Sequence, residues 1–109
     1  MRTNEDGSIV LADGTVLNSE KYLFHLLQQM IDNKASDIYF TYGEEPVLRV
    51  YGEAHRIANV PKFEDSTLES IANILMTDED IDNYKANLSC DLGYSVHGRR
   101  YRINISRQR

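Results

Sequence analysis

Five arginines fall in the last eleven residues of this 109-residue sequence, Arg99 to Arg109, which read RRYRINISRQR. No acidic residue accompanies them. The stretch therefore carries +5, while the residues before it hold seven basic side chains against 17 acidic ones, a net of −10. Arginine offers a rigid fork of donors that suits phosphate oxygens and stays charged at any cellular pH. One arginine stabilising the charge on a transferring phosphoryl group is worth orders of magnitude in rate. The chemistry on offer is recognition of an oxyanion. Arg107 and Arg109 are the first candidates, at the exit of the stretch, and Arg102 is the third. A plainer reading pairs these arginines with acids of their own sheet, Asp91 above all, and applies most to Arg99 and Arg100.

Other residues able to do chemistry are scattered. His25, His55 and His97 lie far apart in sequence, and His25 has no partner at metal-ligand spacing. Cys90 stands alone, which excludes an intramolecular disulfide and a cysteine-based metal cluster. No base accompanies it in sequence, so it reads as a small packed residue. Asp37 follows a helix, where an aspartate more often bonds nearby backbone amides than works as a catalytic acid. Glu44 and Glu45 are adjacent in a turn and diverge, which disfavours paired acid/base work. Asp78, Glu79, Asp80 and Asp82 resemble a calcium loop in composition only. They lack its alternating spacing and central glycine, and they suit the first turns of a helix. There is no Gly-x-x-x-x-Gly-Lys-Ser/Thr, so this stretch of chain has no P-loop. Gly-x-Gly-x-x-Gly, His-Glu-x-x-His and Gly-x-Ser-x-Gly are absent too. The residues alone do not indicate an enzyme.

Composition sets the frame. A chain of 109 residues with 41% hydrophobic and 27% charged residues builds one soluble domain with a modest core. No apolar run approaches the roughly 20 residues of a membrane span, and MRTNEDGS has no signal-peptide core. A cytosolic location is the expectation. The net charge of −5 argues against a nucleic-acid module.

The elements that must position the arginines follow from periodicity. Tyr101, Ile103 and Ile105 alternate with Arg102, Asn104 and Ser106, the pattern of a half-buried strand. Asp91 to Val96 alternates likewise, and His97-Gly98 supplies a tight turn between the two. Upstream, Ile9 to Ala12 and Thr15 to Leu17 flank Asp13-Gly14, a hairpin signal, expected as an extra edge of the sheet rather than a docking flap. Asn18-Ser19 caps a helix striped by Tyr22, Leu23, Leu26, Leu27, Met30 and Ile31. Strands are expected over 38–42, with Ile38, Phe40 and Tyr42 on one face, and over 47–51, with 53–57 a third short strand or the far half of the second. Pro61 to Asp65 reads as a linker loop. Ser66 to Glu69 fits a capping box opening a helix striped by Leu68, Ile71, Ala72 and Leu75, and Thr77 to Asp80 repeats it before Ile81, Tyr84 and Leu88. The order predicts an α+β sandwich: a mainly antiparallel sheet with helices packed on one face. A sequence ending on a cationic strand is expected to continue into something longer.

These residues resemble a family. Ala35-Ser36-Asp37-Ile38 after an amphipathic helix, the Gly43 to Pro46 turn, and Val47-Leu48-Arg49-Val50-Tyr51-Gly52 look like the N-terminal domain of the secretion and type IV pilus ATPases. The pilus retraction (PilT-like) members are the nearest. Asp91-Leu92-Gly93-Tyr94, Arg100-Tyr101-Arg102-Ile103-Asn104 and Gln108-Arg109 continue the pattern; Glu45 stands where the family has the first proline of its turn. The resemblance covers about 19–109 and leaves 1–18 as an N-terminal extension with the hairpin. It implies a PAS-like domain preceding a RecA-like motor domain in a homo-hexameric ATPase. The motor would hold ATP and magnesium, and this fragment neither. It also implies that the domain packs on the motor of its own and a neighbouring subunit, with its arginines reaching the nucleotide. ATP turnover would then drive pilus retraction and twitching motility, or secretion, from the cytoplasmic face of a bacterial inner membrane carrying the pilus or secretion platform. The competing reading is a stand-alone PAS-like module binding a small ligand or a partner.

Overall fold

The structure, a computed structural model, describes residues 8–107. A short hairpin comes first, β1 (Ile9–Val10) and β2 (Val16–Leu17). Then follow α1 (Ser19–Asp32), β3 (Asp37–Thr41), β4 (Val47–Val50), β5 (Glu53–Arg56), α2 (Asp65–Leu75), α3 (Asp78–Asn87), β6 (Ser89–Val96) and β7 (Arg99–Ser106). The five later strands form one sheet in the order β5-β4-β3-β7-β6. All neighbours run antiparallel except the central pair, β3 and β7, which is parallel. A parallel pair needs a long crossover, and the stretch from β4 through α2 and α3 to β6 provides it. The expected α+β architecture with a mainly antiparallel sheet is what forms.

The core lies on one side of this sheet. Ile38 and Phe40 of β3, Leu48 of β4, and Tyr101, Ile103 and Ile105 of β7 point into it. Tyr22, Leu23, Leu26, Leu27 and Met30 of α1 meet them, with Leu68, Ile71 and Ala72 of α2. Side chains of this kind contribute about 1.5–3 kcal/mol each when fully buried. Asn18 caps α1 as its sequence predicts, its Oδ1 accepting from the Lys21 amide at 2.8 Å.

Five expectations are corrected. The hairpin forms a separate two-stranded sheet rather than an extra edge of the main one. Its turn is longer than two residues: the Leu11 amide donates to the Thr15 carbonyl, and Asp13 Oδ1 accepts from the Thr15 amide. The stretch from Pro61 to Asp65 is no mere linker. Phe63 is buried between Phe40 and Tyr22, ring centroids 5.2 and 6.3 Å away, and bridges to Tyr42. One aromatic among polar neighbours gives no periodic signal, so sequence reasoning passed over it. Helix α2 begins at Asp65 with Glu64 at its cap and no side-chain cap bond, so the Ser66–Glu69 capping box does not form. Thr67, the residue after Ser66, is buried instead. The second box does form: Thr77 Oγ1 accepts from the Asp80 amide at 3.2 Å, and Asp80 accepts from the Thr77 amide at 3.1 Å. Finally Tyr42, past the end of β3, is 36% exposed and does not share the burial of Ile38 and Phe40.

Candidate functional site

The period of two in β7 sends Arg100, Arg102, Asn104 and Ser106 to the side of the sheet away from the helices. The register then decides their neighbours. Arg102 lies opposite Asp37 on parallel β3 and opposite Gly93 on antiparallel β6, and Asp37 lies opposite Arg49 on β4. A row Arg49–Asp37–Arg102–Gly93 therefore crosses four strands. Arg102 Nε donates to Asp37 Oδ2 at 2.9 Å, and Ser36 Oγ donates to Asp37 Oδ1 at 2.6 Å. In the next row Asn104 Nδ2 donates to Asp91 Oδ1 at 2.9 Å. Tyr39 completes the cluster. Its hydroxyl stabilises the charge on Arg102, and the Arg49 guanidinium carbon sits 5.6 Å from its ring centroid, within cation–π range. The Tyr39 hydroxyl and the carboxylates of Asp37 and Asp91 raise the Arg102 pKa above the usual arginine range.

The Arg100 guanidinium lies over Gly93, where a Cβ would come within 2.9 Å of its Nη2. A side chain at position 93 would push the flexible end of Arg100 aside. No ion pair of Arg99 or Arg100 occurs among the described residues, and Asp91 is taken by Asn104 rather than by an arginine. These residues border an open cleft of about 520 Å³ on the uncovered face.

Arg107, just past β7, is placed differently. Its amide donates to the Leu88 carbonyl at 2.9 Å, which carries the chain past the start of β6. Its Nε lies 3.4 Å from Asp65 Oδ1 on α2, with the two side chains 43% and 57% exposed. The pair borders a small groove of about 130 Å³ between α2 and α3, with Glu69, Tyr84 and Lys85. The Tyr84 hydroxyl is buried there without a hydrogen-bond partner among the described residues, and burial pushes its pKa up. Arg109, the third candidate, and Gln108 lie outside the described residues.

The other groups stay apart. No cluster of three or more His, Cys, Asp or Glu able to hold a metal occurs among the described residues. His25 and His55 border a wide groove of about 780 Å³ between α1, the hairpin loop and β4–β5, and His97 sits in the β6–β7 turn at φ 52°. Cys90 is half-buried, and burial raises its thiol pKa, so it stays a packed thiol. Asp37 bonds side chains rather than the backbone amides expected from its sequence position.

No protein-family model matches the chain. It is 31% identical over 75 residues to the type IV pilus retraction ATPase PilT of Pseudomonas aeruginosa, across 68% of this chain and 22% of that one. It also superposes on a crystal structure of the pilus retraction motor PilT with bound ADP, at a TM-score of 0.62 and 25% identity, over 80% of this chain and 26% of that one. The chain matches the N-terminal domain of the PilT-like pilus retraction ATPases. It spans about a quarter of the length of these PilT relatives. Their α+β fold is the one described above, and no described helix is long and apolar enough to cross a membrane.

Proposed function

We propose that this PilT-like domain is the accessory and oligomerisation domain of a hexameric motor ATPase. In this reading the chain continues past Arg109 into a RecA-like motor domain. ATP and magnesium bind to that motor, and this domain packs on the motor of its own and a neighbouring subunit. Turnover drives type IV pilus retraction and twitching motility, or a related secretion step, at the cytoplasmic face of the inner membrane. The described residues offer neither a phosphate-cradling glycine loop nor a magnesium ligand set. They do offer arginines, whose donor fork suits phosphate oxygens. This domain's part is therefore to bind and orient phosphate held by another domain.

The observation that carries the reading is the exit of β7. Arg107 leaves the sheet on an exposed, loosely held side chain that leads into Gln108 and Arg109. Arg102 is the weaker candidate, because Asp37 and Tyr39 already occupy it. The test is ATP hydrolysis by the chain with its motor domain. Arg107→Ala is expected to lower kcat by roughly three orders of magnitude if it acts as an arginine finger. Wild-type turnover by Arg107→Ala and Arg109→Ala together would refute this role.

A second reading, a ligand-binding module, rests on the groove beside His25 and His55. It predicts a raised Tm for this domain with a small ligand.

A further inference from the structure

We propose that Asp65 is a parking site for Arg107, which holds that arginine on α2 until a phosphate competes for it; this rests on the motor reading above. Three observations carry it. The first is the pair itself, Arg107 Nε to Asp65 Oδ1 at 3.4 Å, formed across elements far apart in sequence. The second is its looseness. The distance is long for a charge-assisted bond, and the two side chains are 43% and 57% exposed, so neither is shielded from water. An exposed pair of this kind favours its closed form by only a few-fold. The third is the contrast with Arg102. That side chain, itself 56% exposed, is tied at 2.9 Å to an acid whose side chain is only 13% exposed, and Tyr39 stabilises its charge as well. Arg102 is thus built into the sheet, and Arg107 is not.

A phosphate group carries more charge than one carboxylate and can take both arms of the guanidinium fork. It outcompetes Asp65 once it comes within reach. Release needs rotation of one side chain, since the Arg107 amide stays bonded to the Leu88 carbonyl. The parked state has a function: without nucleotide, Arg107 is kept off other anions and held near the strand exit. Asp65 acts through Arg107 and is a positioning residue.

Two measurements test this. In the present chain, the Arg107 Nε–Hε resonance reports the pair without any motor domain. Asp65→Asn is expected to speed its hydrogen exchange and shift it, leaving the Arg102 resonance unmoved. An Arg107 signal identical in both proteins overturns the proposal. In the motor-bearing chain, the Kd for a fluorescent ATP analogue reports the competition. Asp65→Asn is expected to tighten binding about two- to fivefold, and to change nothing in an Arg107→Ala background. Equal tightening in both backgrounds, or none in either, overturns it. If Arg107→Ala leaves the Kd at the wild-type value, the arginine reading falls and the parking role with it. The resonance measurement then still shows whether the pair exists.

Discussion

Arg102 and Arg107 stand five residues apart on one stretch of chain, yet one is fixed and the other is not. Arg102 lies inside β7, where a parallel neighbour brings Asp37 into register and Tyr39 beside it. Arg107 lies beyond the strand, where an exposed contact reaches Asp65. The same residue type therefore serves two ends. Within a sheet, arginine is spent on the acids beside it and helps fix strand register. Past the last ladder bond, it meets a helix acid in a longer, more exposed contact.

This comparison can be broken at several points. The largest effect is expected on the covered side of β7, which holds both arginines in place. Ile103→Ala should cost about 2–5 kcal/mol of stability, read by urea unfolding, because Ile103 is 1% exposed. A smaller loss is expected on the open side. Asp37→Ala removes the acceptor for Ser36 and Arg102 and should cost about 1–2 kcal/mol in the same assay. If it costs nothing, Arg102 is not anchored as described. Arg107→Ala should change stability by less than about 0.5 kcal/mol; a larger loss would make Arg107 a structural residue like Arg102. The smallest effect concerns Cys90 on β6. Burial favours its neutral thiol, so the folded pKa exceeds the unfolded one. The thiol's contribution to stability is complete below the unfolded pKa and is lost as pH rises through the folded one. Alkylation of the folded protein should accordingly reach half its maximal rate at a higher pH than in the unfolded chain.

Much of this architecture is legible from periodicity. The stripe from Tyr22 to Met30, the alternation along β7 and the Thr77 cap each repeat a signal that one window of sequence contains. What periodicity misses is long-range. Nothing in the local sequence says that β3 and β7 lie side by side, so the Asp37–Arg102 pair, 65 residues apart, was invisible. Asp91 looked the natural acid because it is near in sequence, but β-register gives it Asn104. Phe63 was hidden for a related reason: a lone apolar residue in a polar run has no period, and only the fold reveals the gap it fills between Tyr22 and Phe40. The Ser66 cap failed because α2 starts two residues earlier than that cap requires, at Asp65, and Glu64 took the boundary. The segregation of charge into the last eleven residues is legible without any fold.

The measurement that bears most directly on the account is subunit complementation. One subunit carries an intact arginine strand and a motor disabled in its own nucleotide site. The other carries Arg107→Ala and an intact motor. Each alone should be inactive in ATP hydrolysis. Mixed in one assembly, they are expected to regain activity, because the first supplies Arg107 to the nucleotide held by the second. Mixed assemblies that form, yet stay as inactive as either parent, would contradict the claim that this domain lends its arginine to a neighbouring motor.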